Sequence, residues 1–90
     1  MPKFIFTESY EKRAKKFLHK HPQLQEQYKK TLKLLRANPK HPSLRLHKLT
    51  GKLSKLHSVS INISYRITIH LLIKKDIIIP IDVGTHDEVY

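Results

Sequence analysis

The sequence predicts an α+β fold in the order β-α-α-β-β-β, a helical hairpin packed on one face of a small, mainly antiparallel sheet. Three observations predict it. Apolar residues recur at helical spacing from Tyr10 to Leu35, the apolar period falls to two after Pro42, and prolines or small polar clusters stand at each change of pattern. A chain of 90 residues with 39% hydrophobic content has apolar surface for one modest core, so residues 1–90 are expected to form a single domain.

Lys3 to Phe6 is a short β-prone run that stops at Thr7-Glu8-Ser9, a polar cluster suited to capping a helix, with Glu8 and Glu11 near the positive end of its dipole. Tyr10, Ala14, Phe17 and Leu18 then share one stripe of a helix running from about Glu8 to Lys20. His21-Pro22 breaks the chain and restarts it, because proline fits the first turn of a helix but not its interior. Leu24, Tyr28, Leu32 and Leu35, joined by Leu34, line one face of a second helix that ends before Asn38-Pro39. Further on, Val59, Ile61 and Ile63 alternate with Ser58, Ser60, Asn62 and Ser64, and Tyr65, Ile67, Ile69 and Leu71 alternate with Arg66, Thr68 and His70, the pattern of half-buried antiparallel strands. Lys74-Lys75-Asp76 reads as a hairpin turn, and Ile77 to Val83 as a more central strand in which Pro80 must sit at a bulge or on an unpaired side.

The composition narrows the function. With 18 Lys and Arg against 7 Asp and Glu, the formal charge is +11, which points to a polyanion, nucleic acid by default, and to an acidic partner that masks the protein in its absence. No cysteine is present, so disulfides and thiolate zinc sites are excluded and a cytoplasmic protein is the simplest expectation. No run approaches the roughly 20 apolar residues of a spanning helix, and the N-terminus lacks the pattern of a signal peptide, so no membrane partner is expected. Neither HxxxH nor HExxH occurs, and Gly51 and Gly84 are the only glycines, so neither a metal site, nor a nucleotide-phosphate loop, nor any other cofactor is expected.

On the polar alternation of its strand, Arg66 projects from the side the helices leave uncovered, where a guanidinium suits a phosphate; the same spacing fits an ordinary exposed strand cation. Between Arg45 and His57 stand four cations and two histidines, among them His47, Lys48, Lys52 and Lys55, a phosphate-gathering edge or a solvated loop. The chemistry these residues suit is metal-free RNA cleavage. The RNA 2′-hydroxyl is the nucleophile, and the protein supplies a base, an acid and cations for the charge that builds on phosphorus. Histidine serves both proton transfers because its unperturbed pKa lies near neutrality.

HKLTGKL, SYRITIH and DVGTHDEVY, in that order in a basic chain of this size, resemble the RelE/ParE superfamily of toxins from type II toxin–antitoxin systems, most closely the YafQ-like and RelE-like mRNA interferases. The resemblance implies a RelE-like endoribonuclease that cuts mRNA in the ribosomal A site and is held inactive by a cognate antitoxin. It matches the H-x-L-x-G segment to His47-Lys48-Leu49-Thr50-Gly51 and the terminal G-T-H to Gly84-Thr85-His86, which makes His47 and His86 the implied acid/base pair. Tyr65-Arg66 matches the family's strand arginine, and Tyr90 the terminal aromatic that stacks on a base. With Lys48, Lys52, Lys55 and His57 as substrate-binding groups, the expected site is complete. The chain departs from the YafQ-like pattern at Ser60, Asn62 and Ser64, where that family carries a further histidine and an acidic residue. Two rival readings accompany the enzyme: a ParE-like DNA gyrase inhibitor on the same scaffold, and a non-catalytic RNA- or DNA-binding module.

Overall fold

The structure is a computed structural model and describes residues 2–85. Its first helix, α1, spans Glu8–Lys20, the predicted bounds, because the Thr7 side chain accepts the backbone N–H of Tyr10 at 3.2 Å and satisfies one of the orphan donors of the first turn. After His21 the chain makes one 3-10 turn, Pro22–Leu24, before the second helix, α2, at Gln25–Ala37. Tyr10, Ala14 and Phe17 of α1 and Tyr28, Thr31 and Leu35 of α2 are buried. The two helices are tied at one point by the Tyr10 and Tyr28 hydroxyls, 2.7 Å apart in the interior, so neither buried phenol lacks a partner.

Five strands form one sheet: β1 (Lys3–Phe4), β2 (His47–Lys48), β3 (His57–Ser60), β4 (Tyr65–Leu72) and β5 (Ile77–Thr85), in the spatial order β1-β5-β4-β3-β2. Only the β1–β5 pair is parallel. Val59, Ile61, Ile67, Ile69, Ile78 and Val83 form one core with the apolar stripes of the helices. As predicted, β5 is an inner strand, flanked by β1 and β4.

The structure corrects the strand boundaries in three places. The first strand ends at Phe4, and Ile5 and Phe6 are exposed. The predicted strand through Ser64 ends at Ser60, because Asn62 turns the chain: its Oδ1 accepts the backbone N–H groups of Ser64 and Tyr65, both at 2.9 Å, while the Ile61 N–H donates to the Tyr65 carbonyl. Ile61 keeps its place in the core at 3% exposure, whereas Ile63, expected to face the core, stands at the tip of this turn, 91% exposed. Finally, His47 and Lys48, expected only to approach the sheet, join it as β2.

Pro80 behaves as its chemistry requires. The β4–β5 register runs Thr68 to Asp82 and then Ile69 to Pro80, so Ile81 is the extra residue of a bulge beside a residue with no N–H to donate. The Ile81 carbonyl instead accepts from Nη1 of Arg13, 3.0 Å away on α1.

Candidate active site

The site is built on the sheet face turned away from the helices, and strand alternation selects its members. Ser60 pairs with Arg66, Ser58 with Thr68, and Arg66 with Gly84, so these residues point away from the face that carries Val59, Ile67 and Val83. His47, opposite Ser58 on β2, points the same way. This face is polar as expected but not bare, since Ser58, Ser60 and Thr68 are all buried.

A short approach segment brings His47 there. His41 Nδ1 accepts the N–H of Ser43 at 3.2 Å and opens a 3-10 turn, Pro42–Leu44, whose last residue is anchored in the core at 1% exposure. Arg45 then takes a left-handed conformation, φ 49°, which costs a residue with a Cβ on the order of 1 kcal/mol. With the chain so turned, the Arg45 carbonyl accepts from Arg66 and the next residues pair as β2.

Three acceptors hold the Arg66 guanidinium. Its Nε donates to Ser58 Oγ at 3.0 Å, and its Nη2 to the Arg45 carbonyl and to His47 Nδ1, each at 3.2 Å. Ser58 Oγ also lies 3.4 Å from His47 Nδ1, so arginine, serine and imidazole form a closed triangle. A guanidinium has donors only; the ring nitrogen facing it must therefore accept, which places the proton of a neutral His47 on Nε2. Among the described residues Arg66 Nη1 makes no hydrogen bond, and its donors are available to an anion. The arrangement presents a fixed positive fork and an oriented imidazole side by side, the elements that phosphoryl transfer with proton movement requires.

The other expected residues are distributed unevenly. Lys48 is exposed on β2 but pairs with His57, on the alternation opposite to His47; Lys52 is exposed on the 3-10 turn Gly51–Leu53 and Lys55 on the turn before β3. Gly51 opens that turn with φ 66°, a backbone conformation glycine adopts without strain. His57 is not brought to the triangle: it pairs with Lys48 and Ile69 on the alternation of Val59, opposite to Ser58. Burial first, then the charges of Lys48, His47 and His70, push the His57 pKa below the ordinary histidine value, which favours a neutral ring. His86 and Tyr90 lie outside the described residues. The last described strand residue, Thr85, pairs with Tyr65, the neighbour of Arg66.

Two participants escaped sequence reasoning. Ser58 is one of four polar residues alternating along its strand, and only the β3–β4 register singles it out. Arg45 contributes a backbone carbonyl, which no side-chain pattern announces. Among the described residues no group of three or more His, Asp or Glu side chains converges as a metal site would need, and no helix is long and apolar enough to cross a membrane.

No protein-family model matches the chain, and no curated protein sequence matches it. Solved structures do. YafQ from Escherichia coli superposes with a TM-score of 0.80 at 15% identity, covering 100% of this chain and 99% of that one. The E. coli DinJ–YafQ toxin–antitoxin complex matches with a TM-score of 0.78 at 18% identity over 99% of this chain and 97% of that one. A copper-bound mutant toxin from Helicobacter pylori matches with a TM-score of 0.75 at 24% identity over 100% of both chains. The chain therefore has a RelE/ParE-like toxin fold, close to that of YafQ.

Proposed function

We propose that this protein is the toxin of a type II toxin–antitoxin pair, an endoribonuclease that cleaves mRNA in the ribosomal A site. The observation that carries the reading is the contact of Arg66 Nη2 with His47 Nδ1, 3.2 Å, above the buried hydroxyl of Ser58. Expectation from the resemblance and geometry of the fold meet there: the two residues matched to family positions are 19 apart in sequence yet share one hydrogen-bonded cluster.

In the proposed reaction the scissile phosphate sits on the free donors of Arg66, with the exposed Lys52 and Lys55 of the β2–β3 connection taking neighbouring phosphates. The 2′-oxygen attacks phosphorus as its proton passes to a base; the bond from phosphorus to the 5′-oxygen breaks as an acid protonates that oxygen. A 2′,3′-cyclic phosphate and a 5′-hydroxyl end result. His47 takes one proton-transfer role and His86 the other, and Arg66 stabilises the charge that develops on the phosphoryl oxygens. This reaction is metal-independent, and DNA, lacking the 2′-hydroxyl, is not a substrate. In the cell a cognate antitoxin rich in carboxylates covers the basic face, as the charge of +11 requires and as the DinJ–YafQ assembly parallels.

The test is induction of the protein in cells, with mapping of new mRNA 5′ ends and of plasmid supercoiling together. New 5′-hydroxyl ends within coding regions, lost in His47→Ala, are the expected result. Altered supercoiling without new ends would replace this reading with that of a gyrase inhibitor.

A further inference from the structure

The Pro80 bulge does more than accommodate a proline. It frees the Ile81 carbonyl to hold Arg13, and beside that contact α1 and β5 enclose a hollow of about 360 Å³. Arg13, Lys16 and Lys20 line it from one stripe of α1, with Phe17 between the two lysines, His21 just past the helix end and Asp82 on the strand side. Arg13 and Lys20 stand seven steps apart, about 10.5 Å along the helix at 1.5 Å per residue, long enough for the three cations to meet successive phosphates of one strand. Asp82 is the single carboxylate among them, and its Oδ1 is engaged by the backbone N–H of Val83 at 2.9 Å.

Phe17 and His21 of this lining form an aromatic platform with Tyr65. The His21 ring lies 4.9 Å from Phe17 and 4.8 Å from Tyr65, and Phe17 meets Tyr65 edge-on at 5.3 Å. Tyr65 is the residue before Arg66 on β4, so platform and candidate active site occupy the two faces of one strand end. Neither the cation stripe nor the platform is needed by the cleavage chemistry. Phe17 and Tyr65 belong to the core or pack against it, but the core does not explain the cations or the histidine, since Lys16 and Lys20 are exposed and His21 is half-buried.

We infer that this hollow is a second binding site for single-stranded RNA, in which Arg13, Lys16 and Lys20 take two or more phosphates and a base stacks on His21 beside Tyr65. It rests on the RNA-cleaving reading only for the direction of the strand, which passes from Arg66 around the end of the sheet to α1. Cations in a row with a flat ring at one end are the combination by which proteins hold single strands irrespective of sequence. A duplex, with its bases already stacked, cannot use the ring.

The experiment measures binding of two oligoribonucleotides, about three and about twelve nucleotides long, by fluorescence anisotropy across a salt series, to the parent protein, Lys16→Ala/Lys20→Ala and His21→Ala. The lysine variant should lower the salt slope for the long RNA by about 1.4, at about 0.7 for each phosphate that a lysine no longer neutralises. Over the decade from about 1 M to about 0.1 M salt that slope amounts to about 25-fold weaker binding at the lower concentration. Its affinity for the short RNA and its cleavage rate at saturating RNA should equal the parent's. His21→Ala should weaken the long RNA by about tenfold or more at every salt concentration, because stacking releases no counterions. Unchanged slope and affinity for the long RNA in the lysine variant would overturn the site. So would parental binding by a His21→Ala variant of parental thermal stability, or binding of duplex DNA of equal length as tight as the long RNA. A parent that binds long RNA in this length- and salt-dependent way but cuts none refutes the cleavage reading and leaves the second site standing; a parent that cuts, with variants indistinguishable from it in binding, does the reverse.

Discussion

Replacing Arg66 by lysine keeps the charge and removes the fork, and the geometry around Arg66 turns that into a sharp expectation. A lysine ammonium at the same position cannot meet Ser58 Oγ, the Arg45 carbonyl and His47 Nδ1 in the planar arrangement that Nε and Nη2 achieve at 3.0, 3.2 and 3.2 Å. Two consequences differ in size. For stability, bonds of this kind contribute about 1 kcal/mol each in net terms, and Arg66 is only half-buried, so the variant should lose about 1–2 kcal/mol in all. That corresponds to a drop in Tm of very roughly 4–16 °C for a domain of this size. For cleavage the loss should be larger, on the order of 10²-fold or more, because a misplaced donor forfeits stabilisation present only in the transition state and His47 loses the partner that orients it. The assay is single-turnover mRNA cleavage in a translating extract, paired with thermal unfolding of the same preparations. Lysine should be nearly as poor as alanine in rate while binding RNA more tightly than alanine does. A folded Arg66→Lys variant that cuts at the parental rate would refute the reasoning, since charge without fork geometry would then suffice.

His47→Ala and His86→Ala should each reduce cleavage on the order of 10²-fold or more, whereas His19→Ala, on the exposed side of α1, should retain the parental rate in the same assay. A chelator added to purified protein should leave the cleavage rate unchanged; loss of activity restored by a divalent ion would contradict the metal-free mechanism. Because burial holds the folded pKa of His57 below its ordinary value of 6.5, the unfolded chain binds this proton more tightly, so the His57 contribution to stability is fully present above about pH 6.5 and declines as the pH falls towards the folded pKa. Denaturant titrations through that window should show a shallower loss on acidification in His57→Gln than in the parent. Thr7→Ala should cost about 1 kcal/mol by removing the N-cap, visible as a lower denaturation midpoint with an unchanged slope, and should leave RNA cleavage alone.

Much of the architecture was legible along the chain because its causes are local. Thr7 caps and Tyr10, Ala14 and Phe17 align within one helix, Pro22 restarts the backbone where it stands, and Pro80 must leave the ladder whatever surrounds it. The alternation of Ile67 and Ile69 with Arg66 and Thr68 likewise told which side of β4 would be apolar. Alternation does not say where a strand turns, and the run through Ile63 reads as strand until Asn62 is seen accepting from Ser64 and Tyr65. It also does not give register. Whether Ser58 or Ser60 reaches the Arg66 guanidinium, whether His57 shares a face with His47, and whether His47 pairs with the sheet at all depend on how strands from distant parts of the sequence slide against each other. Residue types and their periodicity therefore determined the helices, the apolar faces, the basic character and Arg66 as a candidate, while His47 became a candidate acid or base only through the resemblance of its segment to the family motif. Tertiary structure alone decided that these two meet over Ser58 and that Arg13 is drawn to the bulge at Ile81. The physical reason is that hydrogen bonds between residues 19 and 68 positions apart arise from strand pairing and helix packing, which no local propensity encodes.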